Sequence, residues 1–136
     1  MKTLIASLAT FMVLSTGVNV DVEKRNMEIL NQVKNSIYIE TQDITTKQNK
    51  NESIKDLQYI SSQLHNILSQ LTQNVKSYEN LQLRKIQLDQ LNVTTFYLMA
   101  INDLMLYLDT GDSNYLSDAL IEYRFGNVVL ANIKIE

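Results

Sequence analysis

Residues 53–78, SIKDLQYISSQLHNILSQLTQNVKSY, decide the fold. Within them Leu57, Ile60, Leu64, Ile67, Leu71, Val75 and Tyr78 recur at steps of three and four. Such steps place side chains on one stripe of an α-helix. Their alternation is what helix-on-helix packing in bundles and coiled coils needs. Ser53 with Asp56 three residues on resembles a capping box, which sets the expected start of this helix at Ser53. An apolar stripe of this length has to be covered, so further helices are required.

Upstream, a helix starting near Asp21 carries Leu30, Val33, Ile37 and Ile44, with Ile29 alongside. The polar run Lys47-Gln48-Asn49-Lys50-Asn51-Glu52 reads as its connection to the next. Downstream, Leu91, Leu98, Ile101, Met105 and Leu108 form a further stripe, which ends at Asp109-Thr110-Gly111-Asp112-Ser113-Asn114. Gly111 can take the left-handed conformation that closes a helix, and Asp112 or Ser113 can cap the next. The last helix carries Leu116, Ala119, Leu120, Tyr123 and Leu130. Its C-terminal end is weakened by Gly126 and by β-branched Val128, Val129, Ile133 and Ile135.

Residues 53–109 contain no glycine or proline, so a single helix of 57 residues is permitted. It would be about 85 Å long, against about 40 Å for each outer helix, and half its stripe would stay uncovered. A break near Lys76–Asn80, with Ser77 capping the new start, gives four segments of similar length. Arg84-Lys85, where the stripe falters, is a second candidate corner. The fold read here is all-α, an antiparallel bundle of four helices, with three helices including one long rod as the alternative.

The N-terminus carries a different signal. Met1-Lys2-Thr3 is a singly positive start, Leu4 to Leu14 is apolar apart from Ser7 and Thr10, and Ser15-Thr16-Gly17 supplies small residues. These are the parts of a secretory signal peptide with a cut after Gly17. Residues 1–17 are therefore expected to be a signal peptide and 18–136 a single helical-bundle domain, secreted or periplasmic. The alternative is an uncleaved anchor over residues 4–22, which must take in Asn19 and Asp21; a membrane span needs about 20 predominantly apolar residues.

Composition narrows the chemistry. The 136 residues are 45% hydrophobic and carry a net charge of −3, which excludes a disordered chain. The absence of cysteine excludes a disulfide scaffold and any thiolate site. The single histidine, His65, has Ser61, Ser62, Leu68 and Ser69 at helical spacing, none of them a metal ligand of the usual kind. Asp109 and Asp112 flank a turn, where aspartate caps helices. Asp118 and Glu122 stand one turn apart on an expected polar face, where like charges repel weakly. No phosphate loop, nucleophile elbow or EF-hand spacing is present. Catalytic, cofactor-binding and metal-ligating residues: none is nominated, no cofactor is expected, and the chain is read as not an enzyme. The Asn51-Glu52-Ser53 and Asn92-Val93-Thr94 sequons are about what 14 asparagines produce by chance.

Charge is unevenly spread. Residues 86–123 hold Asp89, Asp103, Asp109, Asp112, Asp118 and Glu122 and no lysine or arginine, whereas residues 24–85 have nine basic groups against six acidic ones. Pairing between bundle halves is the ordinary explanation; an acidic surface meeting a basic partner is the functional one. Nucleic acid is not expected as a partner, since phosphate binding needs clustered Lys and Arg. Tyr59, Tyr78, Tyr97, Tyr107, Tyr115 and Tyr123 are read as core and boundary packing.

Tyr107-Leu108-Asp109-Thr110-Gly111-Asp112, followed by Tyr115-Leu116, resembles a turn of the extracytoplasmic helical-bundle sensor domains of bacterial receptors. The resemblance covers about ten residues of the chain, implies an exported helical bundle, and carries over no ligand-binding residue. The functional expectation is an exported, non-catalytic protein-interaction module, with a protein partner that is basic if the acidic half is used. Homo-oligomers are compatible with it, and membrane contact requires that the N-terminal segment be kept. The alternatives are a tethered, sensor-like ligand-binding domain and an amphipathic lipid- or surface-binding protein. N-terminal sequencing of the native protein should begin at Val18; an intact Met1 would remove the signal-peptide reading.

Overall fold

In the computed structural model, residues 19–46, 49–74 and 80–135 are described; the N-terminal segment read as a signal peptide, and Val75, Ser77 and Tyr78, lie outside them. Four helices follow one another: α1 (Asn19–Thr46), α2 (Lys50–Asn74), α3 (Leu81–Thr110) and α4 (Ser113–Asn132). Among the described residues there is no strand, and an all-α four-helix bundle is the architecture. The long-rod alternative fails at the α2–α3 break, which falls where the length argument places it.

Local chemistry sets the helix ends. Asn80 caps α3, its side-chain oxygen accepting from the backbone N–H groups of Gln82 at 2.9 Å and Leu83 at 3.3 Å. Arg84-Lys85 is not a corner. Arg84 donates its backbone N–H to the Asn80 carbonyl inside the first turn of α3, and both cations are exposed, so they interrupt the apolar stripe and not the backbone. α2 starts at Lys50, ahead of the expected Ser53. Ser53 already donates its N–H to the Asn49 carbonyl, while Asn49 Nδ2 holds Glu52 Oε2 at 2.8 Å. The α3–α4 corner is as read: Gly111 has φ 74°, donates its N–H to the Tyr107 carbonyl, and Asp112 Oδ1 accepts from the Asn114 N–H.

The core is a single cluster. Leu30, Val33 and Ile37 of α1 meet Leu57, Ile60, Leu64, Ile67 and Leu71 of α2, so the described part of the deciding stripe is buried throughout. On α3 the buried face is Val93, Tyr97, Ile101 and Leu104, while Leu91, Leu98, Met105 and Leu108 are its partly buried flanks. The α3 stripe is thus one residue step round from the one expected. On α4, Ala119 and Leu130 point inward and Leu120 is 47% exposed, against its expected place in the stripe.

One contact explains both corrections. Tyr97 is fully buried, and a Cβ built on Gly126 of α4 would stand 2.5 Å from its Cε1. Glycine at 126 therefore lets α4 close on the Tyr97 ring, which turns Tyr97 of α3 and the small face of α4 toward each other. The Tyr97 hydroxyl donates to Asn127 Oδ1 at 2.7 Å, and its ring lies 6.0 Å from that of Tyr123. Tyr123 in turn donates to the Lys34 carbonyl at 3.2 Å, tying α4 to α1. α3 packs against all three other helices, α4 meets α3 and a shorter stretch of α1, and α2 and α4 do not touch.

Replacing Gly126 with alanine should lower stability by about 1 kcal/mol and at most about 2. Overpacking against an immobile ring costs about 1–3 kcal/mol and outweighs the gain of about 1 kcal/mol that alanine brings to a helix interior. Urea unfolding of G126A measures this, and an unchanged or raised midpoint would refute the account of the Tyr97 contact.

Candidate functional site

Because α2 and α4 stand apart, the outer surface of α3 is left as the floor of a groove between them. The groove encloses about 460 Å³. Ser61 and His65 come from α2, Thr95, Met99, Asn102 and Asp103 from α3, and Glu122 from α4. Leu98 and Met105, the flanks of the α3 stripe, add apolar floor. Helical spacing is what brings these groups together: Ser61 and His65 are one turn apart on α2, and Thr95, Met99 and Asn102 follow on one face of α3.

The two walls differ in charge. His65 is exposed, as read from sequence, and faces a polar wall of hydroxyls and amides. Opposite it, Glu122 is raised to about 7, first by burial, then by the negative charge of Asp103 and a side-chain hydrogen bond with it, and last by the charge of Asp118. Its Oε2 is buried and has no hydrogen-bond partner. The expectation that Asp118 and Glu122 share an open polar face holds for Asp118; Glu122 instead turns into the groove. Among the described residues, no lysine or arginine pairs with Asp103, Asp118 or Glu122, and none of the His, Asp and Glu side chains group in threes that could hold a metal ion.

The groove continues into an apolar surface. Phe125 of α4 packs on Phe96 of α3 with ring centroids 5.7 Å apart. Phe125 is 53% exposed, Ile121 51% and Val128 54%, and Met99 is also exposed. Ile121, Phe125 and Val128 follow each other at steps of four and three and so line one face of α4. On the far side of α4, Leu120 and Tyr123 meet Tyr38, Thr41, Gln42 and Thr45 of α1 around a smaller cleft of about 190 Å³. α4 is therefore apolar on its buried face and on much of its free surface. A helix that is apolar all round normally has something packed on every side.

A second carboxyl cluster lies at the α1–α2 end. Glu40 of α1 is buried and raised to about 7 by desolvation, then by the charges of Asp56 and Asp43, while a hydrogen bond with Ser53 acts the other way. Asp56 is also raised, by burial and then by Glu52. Ser53, expected to cap α2, is instead buried there beside Glu40. Asp109, of the pair assigned to capping, reaches Lys50 at 4.0 Å across the bundle end. That ion pair is exposed on both sides, and such pairs contribute little.

Sequence reasoning missed Met99, Ile121 and Phe125. The available signal was the density of large apolar residues on α4, more than one buried stripe uses. No family model, no curated protein and no solved structure matches this chain.

Glu40 and Glu122 together make stability depend on pH with a definite sign. Their ordinary value is 4.5 and their folded value about 7, so between these limits the folded protein binds more protons than the unfolded chain. Stability is then greatest below this window and falls as pH rises through it. Thermal unfolding should show a lower Tm at about pH 8 than at about pH 5. The E40Q/E122Q double variant should show a flatter profile; an equally steep one would remove both carboxyls from the explanation.

Proposed function

We propose that the chain is an exported, non-catalytic helical bundle that works as a protein-interaction module, and that it binds through the outer surface shared by α3 and α4. The observation that carries this reading is the continuous apolar face of Met99, Phe96, Phe125, Ile121 and Val128 beside an open groove. Single exposed hydrophobic residues are ordinary on protein surfaces. A contiguous patch with a polar and acidic margin is characteristic of an interaction site. Export rests on the signal-like residues 1–17.

One observation favours a second reading, contact with a lipid surface. α3 is apolar enough over 18 residues for a membrane span, and 33% of that window is buried. Against it stands the role of α3 as the helix that touches all the others: placing it in lipid would dismantle the core around Tyr97. The acidic groups of residues 86–123 also disfavour an anionic membrane surface.

Cross-linking in the native compartment, followed by capture, should recover a protein bound to the wild type and lost from I121S/F125S, with circular dichroism showing the variant still helical. Equal capture by both would place the binding face elsewhere. Flotation of the processed protein with liposomes, without any protein partner, would replace this reading with the lipid one.

A further inference from the structure

The groove between α2 and α4 has a shape and a charge that together specify what would lie in it. We propose that it docks an amphipathic, basic α-helix of another protein, with the apolar face of that helix on the α3 floor and its lysines or arginines along the α4 wall. The proposal rests on the reading of the chain as an interaction module and adds the chemistry of the partner.

Three features support it. The floor is a stretch of α3 from Thr95 to Met105, about 15 Å at 1.5 Å per residue, with α2 and α4 on its two sides. A helix laid into a groove between helices is a common recognition mode, read through apolar anchors at three- and four-residue steps. The floor offers Leu98 and Met99, and methionine adapts its shape to varied apolar partners. The acidic wall supplies the polar half: Asp103 and Glu122 line the groove, Asp118 stands one turn from Glu122, and these three have no cationic partner among the described residues. Glu122 Oε2 is buried without a hydrogen-bond partner, which is costly, and a cation that drew the carboxyl outward would relieve it. A cation on the incoming helix matches the neighbouring carboxyls of Asp103 on α3 and Glu122 on α4, which line the groove together.

The charge pattern also argues against a second copy of this chain as the occupant. An isologous contact through the groove would bring together two linings that hold Asp103 and Glu122 and no lysine or arginine. Like charges facing each other across an interface suppress association.

The probe is a labelled synthetic Leu/Lys peptide of about 18 residues with helical spacing, roughly 27 Å when folded. Counterparts of the same pattern carry Gln or Glu in place of Lys. Fluorescence anisotropy at near-physiological salt, with full-length processed protein, should give saturable one-to-one binding of the Lys peptide at least about tenfold tighter than of the Gln peptide, and none of the Glu peptide. D103N/E122Q should weaken Lys-peptide binding by about tenfold. D21N/E28Q, which removes two exposed charges from α1, should leave it unchanged. Amide chemical shifts should move at Thr95, Met99 and Asn102. Equal binding of all three peptides, equal weakening by the two double variants, or a dimer in light scattering that buries this face would each overturn the proposal. A native protein lost from I121S/F125S with no Lys-peptide binding would refute the basic helix alone; no captured protein and no peptide binding would refute the module reading as well.

Discussion

The approach of α4 to Tyr97 governs the outer half of this bundle. The α4 backbone lies so close to the fully buried Tyr97 ring that position 126 has no room for a Cβ, and Gly126 fits there. Once that contact is made, the rotation of α4 about its axis is set. Ala119, Gly126 and Leu130 must face inward, and the residues on the opposite side, Ile121, Phe125 and Val128, must face out. Three large apolar side chains are thus committed to solvent by the packing of one small residue. The free energy that would be gained by burying them is left for something other than folding, at about 25 cal/mol per Å² of apolar surface.

The same contact opens the groove. α4 follows α3 closely and reaches α1 through the Tyr123 hydroxyl on the Lys34 carbonyl. It leans away from α2, and the back of α3 is not covered. Asp103 and Glu122 then sit against each other in partly desolvated surroundings, where a carboxylate pair cannot be relieved by water alone. Glu40 and Asp56 are in an equivalent position between α1 and α2, except that Ser53 is on hand to hydrogen-bond Glu40. The difference matters: Glu40 is buried within the helix packing with Ser53 as a donor, whereas Asp103 and Glu122 are half-buried at the edge of the groove.

How much of this could be read from the chain depended on whether the signal was local. Gly111 and Asp112 need only their own turn to act as stop and cap, and they do so. The stripe of α2 consists of large aliphatic residues with polar neighbours, so its period leaves one solution. On α3 the aliphatic run Leu91, Leu98, Ile101, Met105 and the run Val93, Tyr97, Ile101, Leu104 have the same helical period and share Ile101, yet the second set is the one buried. What decides between them is Gly126, on another helix and about thirty residues on, and no window along α3 contains it. Ser77 and Asn80 are capping residues of similar strength three positions apart, and nothing local chooses between them. The groove was not legible at all, since it follows from α2 and α4 failing to touch.

Helices with apolar stripes can slide along one another, and a groove is useful only if its walls keep their height. The bundle resists such sliding through a buried polar layer. Gln87 Nε2 donates to Glu23 Oε1 at 2.6 Å and Gln90 Nε2 to the Glu23 carbonyl at 2.8 Å, joining α3 to α1 with both side chains of the pair out of water. Glu23 Oε2 and Gln87 Oε1 are already buried without a partner. A shift of α3 by one helical turn, about 5.4 Å, would break both bonds and strand further polar groups beside them. Each such group costs about 1–3 kcal/mol when left unmade, so the correct register is favoured over its neighbours by more than the leucine and isoleucine packing alone distinguishes. Buried polar groups that fix register in this way are known from coiled coils. With α3 pinned to α1, and α4 pinned to α3 by Tyr97 and Asn127, the height of Glu122 beside Asp103 is determined from the far side of the molecule. The acidic wall is therefore held in place by the packing of the bundle itself, so the docking proposed here would not have to order it.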